Sequence, residues 1–315
     1  MIDRQSSIYV AGHQGMVGTH IVQTLMTRGY KNLIVKTRKE LNLFDQKAVR
    51  TFFKRNKPVY VILAAARVGG IKANRSYPAD FLYENLLIQN NVMWAAHEVH
   101  VKKLLFLGSS CIYPRECPQP MKEKYFMTGT VEPTNEGYAI AKIAGMKLCQ
   151  KIYKQYGQCF ISCMPTNIYG PHDHFNNDAS HVIPALIARM HEGKMKNSPT
   201  VSIWGTGMSR REFLYVEDLA DAVLWLMNHY DHAGFLNVGT GQDISINELA
   251  MMIQEIVQYK GKITFDDTKP DGMPIKLLDT TKMNSLGWRY STSLADGLKK
   301  TYQFYFMHVA DKKKK

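Results

Sequence analysis

Residues 8 to 18 read I-Y-V-A-G-H-Q-G-M-V-G, and they decide the fold. Ile8–Ala11 is apolar throughout, which predicts a buried strand, and a helical pattern begins at Met16. Between the two, Gly12, Gly15 and Gly18 follow the spacing G-x-x-G-x-x-G, a variant of the dinucleotide fingerprint. Glycines at such a turn let the backbone approach a pyrophosphate, which lies at the N-terminus of the next helix. The stretch therefore predicts a dinucleotide-binding βαβ unit at the start of the chain.

Strand and helix patterns continue to alternate through the first half of the chain. The predicted strands are Ile8–Ala11, Leu33–Lys36, Val59–Ala64, Lys103–Leu107 and Phe160–Met164. The predicted helices are Met16–Arg28, Gln46–Arg55, Pro78–His97 and Asn135–Tyr156. Such alternation produces right-handed crossovers and a parallel sheet with helices on both faces. We therefore predict an α/β fold, a doubly wound parallel sheet (Rossmann) with a smaller mixed α/β substrate-binding lobe.

Beyond Pro171 the alternation loosens, which indicates a second unit. Helices are predicted at His181–Glu192 and Val216–Asn228, and a strand at Val201–Ile203. Gly234–Val238 reads as a strand that rejoins the first sheet. We predict a dinucleotide-binding domain over residues 1–172, with about 214–240 returning to it. Residues 173–213 and 241–315 are predicted to form mainly the substrate-binding domain.

Composition excludes several classes of protein. The chain has 315 residues and no run of eighteen apolar residues, so we expect no membrane span. Its first residues lack an apolar leader, so we expect no signal peptide and a cytoplasmic location. The five cysteines form no C-x-x-C pair, which argues against a disulfide framework and a metal site and indicates a reducing compartment.

The formal net charge of +13 raises the question of an anionic partner. The last four lysines, Lys312 to Lys315, are expected to form a solvated tail. The other lysines are scattered, without the interleaved aromatic residues that single-strand nucleic-acid binders use. A small anionic substrate is therefore the preferred interpretation, and we expect no nucleic acid.

The residues after the second predicted strand bear on the choice of dinucleotide. A NAD-binding unit has an acid about 20 residues beyond the glycines for the ribose 2′-hydroxyl. Here the sequence is V-K-T-R-K-E, in which Arg38 suits the 2′-phosphate of NADP and Glu40 suits the hydroxyl of NAD. We expect NADP, with Arg38 as its contact. Asp45 is placed to reach the adenine or, equally, to cap the next helix.

A tyrosine and a lysine form the most specific pair in the chain. Of 17 tyrosines, only Tyr138 has a lysine four residues later, Lys142. On a helix this spacing places both side chains on one face. A nearby ammonium stabilises a phenolate and lowers the pKa of the phenol. We expect the pair to pass a proton to or from an alcohol oxygen during hydride transfer.

The strand Lys103–Leu107 runs directly into Ser109, Ser110 and Cys111. Ligands of open α/β sheets bind beyond the carboxyl ends of the strands, which favours a reactive thiol at this position. A free cysteine is also among the most buried residue types, so a small core residue is the alternative. The residues alone leave both interpretations open.

Several motifs together carry a resemblance to a known family. They are G-H-Q-G-M-V-G (12–18), L-G-S-S-C-I-Y-P (107–114), E-P-T-N-E-G-Y-A-I-A-K (132–142), P-T-N-I-Y-G-P (165–171) and R-E-F-L-Y-V-E-D-L-A-D-A (211–222). With them the chain resembles the extended short-chain dehydrogenase/reductases. A-A-A-R-V-G-G-I (64–71) and K-P-D-G (269–272) narrow the resemblance to the branch that makes GDP-L-fucose. It extends over nearly the full length of the chain, although Gln14 stands where some members have Arg.

The resemblance implies an activity: epimerisation of GDP-4-keto-6-deoxy-mannose at two carbons, then reduction of its ketone by NADPH. In that family Ser109, Tyr138 and Lys142 match the reductive triad. Cys111 matches the epimerising thiol, and His181 matches its acid/base partner. A homodimer built on the helices near Pro78–His97 and Asn135–Tyr156 is also implied.

Binding residues follow from the same resemblance. The implied cofactor contacts come from the glycine loop and from nearby strand ends and loops, namely Gly12, Gly15, Met16, Val17, Gly18, Arg38, Asn42, Leu43, Asp45, Leu107, Lys142, Pro165, Asn167, Ile168 and His181. The implied nucleotide-sugar contacts are Ser110, Asn167, Arg189, Trp204, Arg211 and Asp271.

Three alternatives stay open beside this function. A nucleotide-sugar 4-epimerase or 4,6-dehydratase is the nearest, but related dehydratases have a glutamate where Cys111 stands, and no carboxylate follows Ser109 and Ser110 here. A catalytically silent NADP sensor would be expected to lose the Tyr138 and Lys142 pair, which is intact. A basic nucleic-acid-binding protein would show steep salt dependence.

Overall fold

The computed structural model describes residues 2–175, 180–269 and 271–310. Its strands are β1 Ile8–Ala11, β2 Leu33–Ile34, β3 Tyr60–Leu63, β4 Lys103–Leu107, β5 Cys159–Pro165, β6 Asn167–Tyr169, β7 Thr200–Trp204, β8 Arg210–Tyr215, β9 Phe235–Val238, β10 Asp243–Ser245, β11 Lys262–Asp266 and β12 Ile275–Lys276. Its α-helices are α1 Met16–Thr27, α2 Gln46–Asn56, α3 Ile71–Ser76, α4 Pro78–Glu98, α5 Glu136–Tyr156, α6 Val182–Met195, α7 Val216–His229, α8 Ile246–Val257, α9 Thr281–Ser285 and α10 Leu294–Tyr305. Short 3-10 helices occur at Ser110–Ile112, Glu123–Tyr125 and Pro133–Asn135, and a π-helical turn at Phe306–Ala310.

The main sheet confirms the predicted fold class. Six parallel strands lie in the order β2-β1-β3-β4-β5-β9. Strands β1, β3 and β4 are buried along their whole length, as expected for strands covered on both faces. One face packs against α1 and α7, and the other against α2, α4 and α5. The order and the two helical layers are those of a doubly wound sheet.

Helix and strand ends agree with the sequence-based prediction within three residues. Helix α6 differs most, because it ends at Met195 instead of Glu192, and the edge strand β2 ends at Ile34 instead of Lys36. Beyond it the backbone N–H of Thr37 donates to Glu40 Oε2 at 2.8 Å and the chain turns away from the sheet. Phe235–Val238 rejoins the main sheet beside β5, as the sequence predicts.

A smaller lobe is built from segments that follow β5 in the chain, both before and after β9. Strand β8 is its centre, pairing with β6, β10 and β12, while β7 and β11 form a separate parallel pair. Helices α6, α8 and α10 share one hydrophobic core with these strands. The residue limits that we predict for the two domains stay a prediction.

Two observations concern possible partners of the fold. Within 2–175, 180–269 and 271–310, no helix combines the length and the apolar character needed to cross a membrane. The same residues contain no cluster of three or more His, Cys, Asp or Glu arranged to hold a metal ion. The lysine tail, Lys312 to Lys315, lies outside the described residues.

Candidate active site

The glycine loop after β1 is shaped for close approach of a ligand. Gly12 has φ +88°, a conformation that residues with a Cβ rarely adopt. A Cβ on Gly18 would overlap the carbonyl oxygen of Gly12, so α1 packs against the loop only because Gly18 has no side chain. Gly15 is the N-cap residue of α1 and has no side chain to cap the first backbone N–H groups. This arrangement fits a dinucleotide pyrophosphate at the helix N-terminus.

The loop after β2 places Arg38 and Glu40 in different environments. The Arg38 guanidinium lies over the Phe44 ring, 4.9 Å from its centre, and is exposed. Glu40 accepts hydrogen bonds from the Thr37 backbone and hydroxyl, both at 2.8 Å, and these bonds lower the pKa of Glu40 to about 2. The carboxylate of Glu40 is therefore occupied by hydrogen bonds from Thr37, whereas the Arg38 guanidinium stacks on the Phe44 ring and stays exposed.

Asp45, Asn42 and Leu43 also lie in this loop. Asp45 Oδ1 accepts from Ala48 N at 3.0 Å and caps α2, which is one of the two roles left open by the sequence. Asn42 Oδ1 accepts from Phe44 N at 3.1 Å. These bonds fix the loop, and any contact of its residues with an adenosine stays a prediction.

Ser109, Tyr138, Lys142 and Cys111 meet beyond the carboxyl end of β4. Ser109 follows the strand and Cys111 lies in the short 3-10 helix after it, while Tyr138 and Lys142 project from α5. Lys142 Nζ donates to the carbonyl oxygen of Leu107 at 2.8 Å and lies 5.6 Å from the centre of the Tyr138 ring. Tertiary structure thus joins two motifs about thirty residues apart in the chain.

The protonation of this pair departs from the sequence-based expectation. Burial raises the pKa of Tyr138 well above its ordinary value, and the hydrogen bond with Ser109 acts against this increase. Burial also lowers the pKa of Lys142 to about 8. The expected lowering of the phenol pKa is wrong here, because removing both groups from water outweighs the attraction of the ammonium for a phenolate. At neutral pH Tyr138 keeps its proton, as a proton donor must.

Cys111 is half-buried and has two polar neighbours that the sequence analysis missed. Asn135 Nδ2 donates to Cys111 Sγ at 3.2 Å, and Lys276 Nζ donates to the same sulfur at 3.5 Å. Asn135 lies within the E-P-T-N-E-G-Y motif, three residues before Tyr138, so its position in the motif could have indicated that it lies near the active site. Lys276 is 165 residues from Cys111, and nothing local in the sequence marks it. A thiol with two N–H donors is not a plain core residue.

His181 is carried by a different element from these four side chains, at the N-cap of α6. It is exposed at the N-terminus of α6 and, among the residues that the structure describes, makes no hydrogen bond or ion pair with Ser109, Cys111, Tyr138 or Lys142. Its electrostatic neighbour is Asp173, whose pKa is raised by burial and lowered by the charge of His181. Asp173 is a third residue that the sequence did not indicate.

The smaller lobe presents two arginines. Arg189 Cζ lies 5.9 Å from the centre of the Trp204 ring, and Trp204 is 45% exposed. Arg211 Nη2 donates to the carbonyl oxygen of Asp271 at 3.0 Å, and burial lowers the pKa of Arg211. The Asp271 carboxylate accepts from the backbone and the hydroxyl of Thr206, both at 2.8 Å. An exposed indole beside a guanidinium is suited to a planar base, and two arginines are suited to a diphosphate.

The remaining predicted residues lie along the same edge. Leu107 ends β4, Pro165 ends β5, and Asn167 and Ile168 form β6. Met16 and Val17 begin α1, and Ser110 is buried in the 3-10 helix beside Cys111. Asn167 Nδ2 donates to the carbonyl oxygen of Glu212 at 2.8 Å, which ties β6 to the smaller lobe. Their roles toward ligands stay predictions.

Comparisons with known proteins identify a family and several similar proteins. The model of the NAD dependent epimerase/dehydratase family matches residues 8–239. The chain is 53% identical over 312 residues to GDP-L-fucose synthase 1 of Arabidopsis thaliana, covering 99% of this chain and 97% of the relative. It is 52% identical over 307 residues to GDP-L-fucose synthase of Escherichia coli (strain K12), with 95% and 96% covered. Among solved structures it is similar to a GDP-mannoheptose C4 reductase from Campylobacter jejuni with NADP bound, with TM-score 0.89, 40% identity and 97% and 100% covered.

Proposed function

Because the chain belongs to the NAD dependent epimerase/dehydratase family, we propose that it is an NADP-dependent epimerase and reductase that makes GDP-L-fucose. Its substrate is GDP-4-keto-6-deoxy-D-mannose, which it epimerises at C3 and C5 and then reduces at C4. The observation that carries this proposal is the meeting of Cys111 with Ser109, Tyr138 and Lys142. One end of the sheet thus holds a thiol for proton abstraction beside a phenol for ketone reduction.

The glycine loop and the loop after β2 bind the cofactor. The uncapped N-terminus of α1 takes the pyrophosphate, since Gly12 and Gly18 leave no Cβ in its way. Arg38 binds the 2′-phosphate, because Glu40, the alternative contact, is held by Thr37. NADPH bound there supplies the hydride that reduces the ketone carbon.

Epimerisation requires a base and an acid on opposite faces of the sugar ring. The hydrogens on the carbons that flank the ketone are acidic, because the enolate places its charge on oxygen. Cys111 removes one of these protons as a thiolate, and His181 returns a proton from the other face. Ser109 and the Tyr138 hydroxyl donate hydrogen bonds to the oxyanion, a stabilisation that is often the largest single catalytic effect.

Reduction then uses the proton that Tyr138 has kept. The raised pKa of the phenol keeps it protonated at neutral pH, so it donates to the C4 oxygen as the ketone becomes an alcohol. Lys142 stabilises the phenolate that remains, since its ammonium lies 5.6 Å from the ring centre. Ser109 holds the same oxygen in place by its hydroxyl.

The smaller lobe binds the nucleotide. Trp204 stacks on the guanine, and Arg189 and Arg211 bind the diphosphate. Asp271 holds Arg211 in place through its backbone carbonyl. The net charge of +13 favours the approach of this anionic substrate.

A homodimer and a cytoplasmic location complete the proposal. Tyr83 and Trp94 lie on one face of α4 by helical spacing and are 65% and 40% exposed, which is typical of a helical face that a second copy covers. The five cysteines are free, as expected in a reducing compartment. Light scattering on the wild type and on Trp94→Glu tests the dimer, which we expect the variant to weaken.

The function is tested by mixing the protein with NADPH and GDP-4-keto-6-deoxy-D-mannose in deuterated water. We expect the absorbance of reduced nicotinamide to fall, deuterium to enter at C3 and C5, and NMR to identify GDP-L-fucose. A C4 reductase without epimerisation is the second candidate, since one similar structure is a GDP-mannoheptose C4 reductase. That activity would oxidise NADPH without incorporating deuterium at C3 or C5. Cys111→Ser is the matched control, because the variant should still oxidise NADPH but should no longer incorporate deuterium.

A further inference from the structure

Lys276 reaches Cys111 from the other lobe of the molecule. It ends β12, which pairs in parallel with β8 and places Lys276 opposite Arg211. The next residue, Leu277, donates its N–H to Gln119 Oε1 at 2.9 Å and accepts from Met121 N at 2.7 Å. The backbone that carries Lys276 is therefore held on one side by the smaller lobe and on the other by the loop after the Cys111 turn.

The ammonium of Lys276 has an unusual partner. It is half-buried and donates to Cys111 Sγ at 3.5 Å. In the described part of the chain it makes no ion pair with a carboxylate, whereas the nearby Lys122 and Lys282 face Asp279 at 3.9 Å and Glu123 at 3.4 Å. A half-buried ammonium next to a neutral thiol gains little, but next to a thiolate it forms an ion pair.

Other groups also face this sulfur, and they are weaker counter-charges. Asn135 donates an amide N–H, which orients the sulfur without adding charge. Tyr138 and Lys142 on α5 interact electrostatically with Cys111. Lys142 Nζ, however, is bonded to the carbonyl oxygen of Leu107, and burial already disfavours its charged form. Lys276 is thus the cation in direct contact with the sulfur.

We propose that Lys276 is a positioning residue for epimerisation, whose ammonium pairs with the Cys111 sulfur as it acts as the base and aims it at the carbons beside the ketone. The proposal rests on the proposed function, because it gives Cys111 the role of base. The thiolate takes a proton from carbon, which leaves a thiol and an enolate. The enolate takes a proton from His181 on the other face, and the thiol and His181 then exchange protons with solvent. Lys276 neither gives nor takes a proton in these steps.

The first test measures the thiolate itself. Iodoacetamide reacts with the thiolate, and mass spectrometry of the peptides gives the rate at Cys111 separately from Cys117 and Cys159. At pH 7 we expect Lys276→Met to slow alkylation of Cys111 about tenfold, because an opposite charge within about 4–6 Å has been removed. Lys276→Arg keeps the charge and should retain most of the rate, and Lys122→Met is the matched control with no effect. A rate at Cys111 in Lys276→Met within about twofold of wild type would overturn the proposal.

The second test separates positioning from a purely structural role. Solvent deuterium exchange into GDP-4-keto-6-deoxy-D-mannose, measured without NADPH, should fall in Lys276→Met at pH 7 and recover toward wild type at pH 9. Recovery is expected because an ordinary thiol ionises with a pKa of about 8.5 without help. Exchange that stays equally low at pH 9, with NADPH affinity unchanged, would mean that Lys276 acts only on structure. If Lys276→Met does not fold, Lys276→Gln carries the same expectation.

Failure of this inference and failure of the proposed function give different results. If Cys111→Ser exchanges deuterium at the wild-type rate, the thiol is not the base and the proposed function fails, whatever Lys276 does. If Cys111→Ser is inactive in exchange while Lys276→Met is normal in both alkylation and exchange, only the role of Lys276 is refuted.

Discussion

Replacing Lys142 by methionine should abolish reduction and make the stability of the variant, relative to wild type, more favourable at pH 7 than at pH 10. Lys142 is only 4% exposed and, within the described residues, makes no ion pair with a carboxylate. Burial lowers its pKa from 10.5 to about 8. Each pKa unit corresponds to about 1.4 kcal/mol, so burying the charged form costs the folded state about 3 kcal/mol.

The sign of the pH dependence follows from the direction of this shift. Below pH 8 the amine is charged in both the folded and the unfolded chain, and the whole cost is present. Between pH 8 and 10.5 the unfolded chain holds more protons, so the stability of the wild type rises with pH. Methionine is neutral throughout. We therefore expect the stability of Lys142→Met relative to wild type to be about 2 to 3 kcal/mol more favourable at pH 7 than at pH 10.

Urea unfolding at pH 7 and pH 10, without added nucleotide, measures this difference. Loss of the hydrogen bond to the Leu107 carbonyl lowers the absolute stability of the variant by about 1–3 kcal/mol at either pH, so the change between the two pH values is the informative quantity. Lys103→Met is the matched control. That lysine is equally buried but donates to Leu226 and Met227 carbonyls and pairs with Asp231 at 2.7 Å, so its removal should destabilise the protein at pH 7. An identical stability difference at both pH values for Lys142→Met would refute the reasoning.

Three further predictions follow from the site. Tyr138→Phe should slow NADPH oxidation at least about a hundredfold with little change in NADPH affinity, measured by absorbance and by fluorescence titration, because only the phenol donates to the C4 oxygen. Near-normal reduction would remove Tyr138 from its role. Arg38→Ala should reduce the preference for NADPH over NADH by roughly ten- to hundredfold, chiefly through the Kd of NADPH, since a hydrogen bond to a charged phosphate is lost. Glu40→Ala is its control, and equal binding of NADH by the wild type would contradict the assignment. Gly18→Ala should lower the free energy of unfolding by about 1–3 kcal/mol, because its Cβ would overlap the Gly12 carbonyl, whereas Gly15→Ala would meet the same oxygen at 3.5 Å and should cost less than about 1 kcal/mol. Equal losses in urea unfolding would contradict the packing argument.

Local pattern was sufficient for the elements that build the cofactor side of the molecule. The glycine spacing after Ile8–Ala11 predicts the turn and the start of α1, because the backbone geometry there tolerates only glycine at Gly12 and Gly18. Tyr138 and Lys142 could be placed on one face of α5 because helical spacing is set by the backbone itself. The alternation of strands and helices predicts the parallel sheet, because each helix carries the chain back so that the next strand runs in the same direction.

The sequence by itself therefore determined the doubly wound sheet, the glycine loop and the pairing of Tyr138 with Lys142, since each depends on residues close together in the chain. Only the tertiary structure decided that Asn135 and Lys276 contact the Cys111 sulfur, and that β8 pairs with β6, β10 and β12. It also decided the protonation of Tyr138, because burial raises the pKa of that phenol and nothing in local spacing measures burial. Such contacts depend on how distant segments exclude water from one another, and that is a property of the packed molecule and not of any short stretch of sequence.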